Sequence, residues 1–399
     1  MENFDVIVAG SGVAGSSTAA LLGQSGFRVL LLEKAQFPRR KVCGEGLMPA
    51  GAELLGKMGL GSDFSLEQFK PFSAIRLHLS CGQLLELKFQ EIKTGALGLI
   101  TPRGLLDKQM AEFASNQQGV HLCEGFKLQS TNIDENGVRV TAKRGGFHHT
   151  FKSRVLVAAD GIRSRLHGCL GIQRLKRGPL RFALRALCED YSQPEEAVEV
   201  HCCPGGEAYV APLETGQVRI TLLLYGPTTS SSPSGLSDLF LHQLRRFPAL
   251  MQRLSGSRPH EVESTSPVGL RLNRCHGQRL LLVGDAGGAL DPVTGHGMTV
   301  ALKDAALASR ILRDRLPTDQ LGEFQLAEYT KRREAYFLPS HQLAFFLLRA
   351  LRHPFLARRG LLMLSRNQKL RHRVIWMASG LGETTWLSSW ERLRLLIGI

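Results

Sequence analysis

The stretch from Phe4 to Lys34 limits what this chain can fold into more than any other. Phe4-Asp5-Val6-Ile7-Val8-Ala9 is a short apolar run rich in Val and Ile, the pattern of a buried strand. It runs into Gly10-Ser11-Gly12-Val13-Ala14-Gly15, the spacing G-x-G-x-x-G. Small residues continue from Ser16 to Ala20, which predicts a helix with a slim inner face. Arg28 to Leu32 predicts a second buried strand, closing on Glu33. Each part has a task in holding a dinucleotide. Gly10 permits the tight turn, Gly12 lets the backbone approach a pyrophosphate, and Gly15 lets the helix pack close on the strand. Phosphates would lie on free N–H groups at the positive end of the helix, and Glu33 would accept bonds from an adenosine ribose. A Gly-rich turn alone says little. Strand, turn, helix and acid in this order say much more.

Two further strand ends carry the same signature. Val155-Leu156-Val157-Ala158-Ala159 leads into Asp160-Gly161-Ile162-Arg163-Ser164. Arg279-Leu280-Leu281-Leu282-Val283 leads into Gly284-Asp285, then a loop through Pro292 to Gly295-His296-Gly297-Met298, and a helix from Thr299 to Arg315. Three strand ends converging on one ligand is the usual arrangement in open α/β sheets.

Between these motifs the chain alternates loops and strands. Phe37 to Pro49 holds two prolines and two glycines and predicts a loop; its Arg39-Arg40-Lys41 patch suits a diphosphate. Residues 75–89 alternate as antiparallel strands with one wet face would. Thr101-Pro102-Arg103 predicts a helix to Phe113, with Thr101 as cap and Pro102 in the first turn. Arg103 there either reaches back to the cofactor or is a surface cation. Val120 to Thr150 predicts short strands with a turn at Asn136-Gly137. Residues 181–226 predict several more, with turns at 203–206 and 214–216. Residues 228–235 are Ser-, Pro- and Gly-rich, a flexible connection before a helix from Leu236 to about Leu254. From Glu323 the pattern is helical, with breaks expected at Pro339, Pro354 and Gly360.

Composition bounds the class. At 399 residues, 43% hydrophobic and 21% charged, the chain suits a globular protein of about two domains. The first strand starts at once, so no signal peptide is expected, and no apolar run reaches the roughly 18–20 residues a membrane span needs. The eight cysteines show no C-x-x-C pair, so they read as reduced thiols of a cytoplasmic protein, and no metal site is read from the spacing. Lys plus Arg outnumber Asp plus Glu by 50 to 35. Residues 341–399 hold ten bases and two acids, a net +8 concentrated near the end. Such a face could attract an anionic lipid surface or simply be a solvated helical exterior. Nucleic acid is not expected as a partner.

The three motifs together, in order over about residues 1–330, resemble the fingerprints of FAD-dependent class A monooxygenases and their wider group, which includes flavin-dependent halogenases and geranylgeranyl reductases. Phe37-Pro38-Arg39 with Cys43-Gly44-Glu45 is similar to the reductase and halogenase side of that group. The resemblance implies a cofactor set by residue. Gly10, Gly12, Val13, Ala14 and Gly15, with Glu33 and Lys34, would hold the ADP half. Arg39, Lys41, Cys43, Gly44 and Arg103 would lie along the cofactor, and Asp160-Gly161 would serve both FAD and NAD(P)H. Gly284 and Asp285 would meet the ribityl chain, and Pro292, Gly295, His296, Gly297 and Met298 would line the ring. A helix starting near Met298 would aim its N–H groups at the ring's carbonyl edge.

The sequence departs from two of the group's signatures. No tryptophan (376, 386 or 390) sits in the halogenase W-x-W-x-I-P pattern. Tyr209-Val210-Ala211-Pro212 keeps the Tyr and Pro of the reductase Y-x-W-x-F-P motif but lacks its Trp. Candidate catalytic residues are His296, which titrates near neutrality, Glu45 as a proton donor, and Cys43 as a redox thiol. Against these stand a local turn cap for Glu45 and a small buried thiol for Cys43.

The implied fold is α/β. A glutathione-reductase-like Rossmann FAD domain would be woven from 1–70, 98–180 and 265–330. A smaller antiparallel substrate domain would come from 71–97 and 181–264, with a helical C-terminal region at 331–399. The implied activity is an NAD(P)H-dependent monooxygenase that hydroxylates or epoxidises a lipophilic aromatic, polyketide or isoprenoid. The alternative is a flavin-dependent reductase of isoprenoid double bonds, and less favoured are a halogenase or a non-catalytic basic binding protein.

Overall fold

A computed structural model describes residues 3–60, 68–79, 82–169, 171–175, 181–192, 196–213, 216–226, 235–254 and 258–382. The expected flexible connection at 228–234, the turn residues 214–215, and Trp386 and Trp390 lie outside them.

The first apolar run forms the central strand Asn3–Ala9. It pairs in parallel with Val29–Glu33 on one side and Phe147–Ala158 on the other, so Val6 faces Val29 and Val155. Val120–Glu124 and Leu280–Leu282 extend this parallel sheet outward. Among the described residues it has eight strands, including the antiparallel ribbon Lys127–Ile133 and Val138–Arg144. Val6, Ile7 and Val8 are wholly buried, as strands covered by helices on both faces must be. Burial of each such side chain contributes roughly 1.5–3 kcal/mol before entropy is counted. The helices Val13–Gln24, Arg103–Ser115 and Gly297–Arg315 provide that cover.

A second sheet runs, in spatial order, through His260–Thr265, Arg181–Cys188, Val218–Tyr225, Gly206–Pro212, Ala197–Cys203, Ala74–Leu79 and Leu84–Lys88. Its outer face packs under the helix Gly235–Leu244 through Leu184, Ala208, Ile220 and Phe240. The inner face looks towards the loop after Glu33. Among the described residues, three helices follow towards the C-terminal end: Glu323–Leu351, Pro354–Arg366 and Gln368–Ser379. Leu364, Leu370 and Ile375 of this region pack on Ile75, Leu85 and Val200 of the second sheet.

Local expectations fail where tertiary contacts outweigh them. The helix expected over 236–254 is interrupted: Phe247 leaves the helical conformation (φ −120°, ψ 71°) and Pro248 begins a separate turn, Pro248–Met251. Thr101 is not a cap. Its hydroxyl donates instead to the Glu45 carbonyl at 3.0 Å, and Pro102 stands at the cap position. Glu323–Leu351 passes through Pro339 without ending, and Gly360 lies inside Pro354–Arg366. A mid-helix proline costs about 3 kcal/mol. Buried Leu326, Tyr329, Arg333 and Phe337 before it, and Leu343 and Ala344 after it, outweigh that cost. Only Pro354 ends a helix as expected, by starting the next one.

Candidate active site

The three glycine motifs meet through contacts too close for a side chain. Gly10 has φ +107°, and a Cβ there would lie 2.4 Å from the Ala159 carbonyl oxygen. At Gly15 a Cβ would fall 1.8 Å from the Gly10 carbonyl oxygen, so the helix rests directly on the turn. Gly284 packs on the Ala14 methyl in the same way. Glu33 is buried at the end of its strand and accepts from the backbone N–H of Ser11 at 2.9 Å and of Ala35 at 3.0 Å. Lys34 is exposed beside it.

Over Gly12 two guanidinium groups converge. Nη2 of Arg39 lies 3.2 Å, and Nη2 of Arg103 4.0 Å, from the point where a Gly12 Cβ would be. Both arginines share Asp107: Arg39 at 2.9 Å, and Arg103 through its Nε at 2.9 Å and Nη2 at 2.7 Å. Burial works against the Arg103 charge, yet Asp107 and the neighbouring Cys43 hold its pKa above the ordinary arginine value. Arg103 is therefore no surface cation. The rest of the basic patch separates. Arg40 turns outward to Glu261 at 3.5 Å, and Lys41 reaches Asp285 at 3.3 Å.

These residues fit a dinucleotide. The first helix begins on Gly12 with no capping side chain and no acid in its first turn, which leaves its N–H groups for an anion. Arg39 Nε is buried without a hydrogen-bond partner among the described residues. Asp160 Oδ1 is buried and unpartnered too, and burial pushes that carboxyl's pKa up. The helix Gly297–Arg315 likewise starts without a capping side chain or an early acid, next to Gly295 at φ +69°.

Cys43, Gly44 and Glu45 lie where the loop crosses the inner face of the second sheet. Glu45 is buried with φ +61°. Its Oε1 accepts from Arg185 at 2.8 Å, and its Oε2 from Arg219 at 3.4 Å. Its carbonyl takes the Thr101 N–H at 2.7 Å. Both oxygens of Glu45, the candidate proton donor, are thus engaged by arginines. The Cys43 carbonyl accepts from Thr221 at 3.4 Å, and its thiol, half-buried, sits beside Arg103.

His296 is also tied. Its Nε2 donates to the Ala378 carbonyl at 3.0 Å, and its Nδ1 accepts from Ser340 at 3.2 Å. Burial lowers its pKa from 6.5 to about 4, so the ring stays neutral near pH 7. Both ring nitrogens face the C-terminal helices.

Sequence reasoning missed Arg181, Arg185, Glu207 and Arg219. They alternate with apolar neighbours along Arg181–Cys188, Gly206–Pro212 and Val218–Tyr225, and this period-two polarity was the available signal. Arg181 bonds Asp291 at 2.5 Å and also pairs with Glu207. Burial pushes the Glu207 carboxyl up against the pull of Arg181. Among these charges lies an apolar seam of Val42, Ala183, Tyr209, Leu223 and Val268. The Tyr209 hydroxyl is buried there without a hydrogen-bond partner among the described residues.

The sequence profile of the FAD binding domain family matches residues 3–337. The chain belongs to the FAD binding domain family. It is an FAD-dependent oxidoreductase of the α/β flavoprotein type. A menaquinone reductase of Mycolicibacterium smegmatis is 27% identical over 79% of this chain and 78% of its own length. A digeranylgeranylglycerophospholipid reductase of Methanocella arvoryzae is 28% identical over 82% of each. Among solved structures, a flavoprotein/dehydrogenase from Cytophaga hutchinsonii superposes with TM-score 0.85 at 17% identity, over 95% of this chain and 93% of that one. A flavin-dependent brominase superposes with TM-score 0.82 at 19% identity, over 99% and 97%. At these identities the two structures speak for the fold alone. Among the described residues no helix is long and apolar enough to cross a membrane.

Proposed function

We propose that this oxidoreductase reduces a carbon–carbon double bond in an isoprenoid chain, with NAD(P)H as the electron source. The observation that supports it best is the pair of reductase-named relatives, which align over about four-fifths of the chain. The apolar seam beside the Cys43 loop suits an uncharged chain. FAD, when bound, would relay the hydride of NAD(P)H to one alkene carbon, and a proton drawn from solvent would complete the other. The protein's own residues do the rest. Arg39, Arg103 and the helix starting on Gly12 hold the phosphates. Glu45, clamped by Arg185 and Arg219, fixes the loop that separates cofactor from substrate, and the seam excludes water.

One observation favours a second reading, monooxygenation: Tyr209-Val210-Ala211-Pro212 lacks the reductase tryptophan. Oxygen decides between them. The reductase reading expects full turnover of a prenylated substrate in anaerobic buffer, with no label from heavy oxygen in the product. Consumption of one oxygen per NAD(P)H, with label incorporated, would establish the monooxygenase.

A lipophilic substrate must be collected from a lipid phase. The exterior of Pro354–Arg366 suits peripheral contact with an anionic membrane. Phe355 is 64% exposed, and Arg358, Arg359, Leu362 and Arg366 share its face, while Leu361 and Leu364 pack inward. Phe345 on the preceding helix is 65% exposed.

A further inference from the structure

We propose that the outer face of the second sheet carries a divalent-cation site formed by His78, Glu199 and His201, with a donor set suited to zinc. Residue numbers hide this cluster, since His78 and His201 lie far apart in sequence. They become direct neighbours because Ala74–Leu79 and Ala197–Cys203 pair in parallel with His201 opposite His78. Glu199, two residues earlier on its strand, points to the same face.

The geometry is that of a ligand set. Glu199 Oε2 lies 3.0 Å from His201 Nε2 and 3.5 Å from His78 Nε2, and the three donor atoms all fall within 4.8 Å of one another. A tetrahedral zinc ion with bonds of about 2.0–2.1 Å holds its ligand atoms roughly 3.4 Å apart. The two imidazoles stack with centroids 4.2 Å apart and planes within 6°, so each ring must turn about its side-chain bonds to aim its lone pair at one ion.

Hydrogen bonding alone accounts for the cluster poorly. Glu199 Oε2 already accepts from Tyr191 at 3.0 Å, His201 at 3.0 Å and Arg253 at 2.7 Å, more donors than its two lone pairs accommodate. His78 Nε2 is left buried without a hydrogen bond. A cation would take both imidazole nitrogens and Oε2, while Arg253 keeps Oε1, also at 2.7 Å, as a carboxylate-orienting partner. The His78 side chain is 25% exposed and provides the way in. Arg253 and Arg76 lie close enough to oppose a dication and weaken its binding. The ion would staple Ala74–Leu79 to Ala197–Cys203, away from the flavin.

The test is a Zn²⁺ titration of the full-length FAD-loaded protein against a chromogenic chelator. One equivalent per chain should bind, and His78→Ala and His201→Ala should each weaken it at least about tenfold. Flavin content and circular dichroism report whether each variant folds. If His201→Ala does not, His78→Ala, whose side chain is partly exposed, decides. Absence of a bound equivalent in the parent protein, or unchanged affinity in His78→Ala, would overturn the site.

Discussion

Arg333 and Asp304 form a fully buried ion pair beneath the third glycine loop, with Arg333 Nε 3.0 and 2.9 Å from the two Asp304 oxygens. Asp304 also accepts the Gly284 N–H at 2.8 Å and the Tyr336 hydroxyl at 2.6 Å. Arg333 Nη2 donates to the Gly288 carbonyl at 3.1 Å. The helix Glu323–Leu351 thus clamps the loop that begins at Gly284. It is tied into that loop by buried polar contacts rather than being an appendage.

Arg333→Met should therefore unfold far more readily than the parent. Leaving Asp304 charged, buried and unpaired costs about 3–5 kcal/mol. Urea denaturation measures the loss, and the variant should purify with reduced FAD content. A change under about 1 kcal/mol would show that the pair is not what holds the loop.

Gly15 and Gly12 should fail differently. Gly15→Ala puts its methyl into the Gly10 backbone, which cannot yield without moving the helix, so the chain should lose at least about 2 kcal/mol or not fold. At Gly12 the nearest neighbour is the flexible end of Arg39. Gly12→Val should fold with normal circular dichroism and yet purify colourless. A yellow Gly12→Val protein would contradict the placing of the phosphates.

His296 makes stability depend on pH. Its folded pKa, about 4, lies below the ordinary 6.5, so the unfolded chain binds the extra proton between these values. Stability from this residue is complete above pH 6.5 and is lost as pH falls towards 4. The total is about 3 kcal/mol. Denaturation midpoints measured from pH 7.5 to 4.5 should fall for the parent protein, and His296→Gln should show a flatter slope. Equal slopes would remove His296 as the cause.

Membrane contact is tested by sedimentation with anionic liposomes. Arg358→Gln with Arg359→Gln should weaken binding by about 2 kcal/mol at low salt, since each base near the surface contributes about 1 kcal/mol. High salt should abolish most of the difference. Phe355→Ser should weaken binding without altering the melting temperature, because that ring is already largely in water. If neither change matters, these apolar residues serve some other purpose.

What the sequence determined by itself is what short-range physics controls. A strand, a turn that only glycine can make, and a helix start fall within a few residues of each other, so Gly10 to Glu33 could be read directly. The same holds for the strand ends at Asp160 and Gly284. The alternation over 75–89 was legible for the same reason. The tertiary structure alone decided what long-range pairing controls. Glu45 meets Arg185 and Arg219 across 140 and 174 residues, and no local pattern announces that a candidate acid will be held by two arginines. His296 looked like a titrating group at the ring because its glycine-flanked loop is local. Its partners, Ser340 and Ala378, are 44 and 82 residues away and turn it into a neutral strut. The helix that passes Pro339 makes the same point in the backbone. Local propensity there is worth about 3 kcal/mol, and the packing of several buried side chains is worth more.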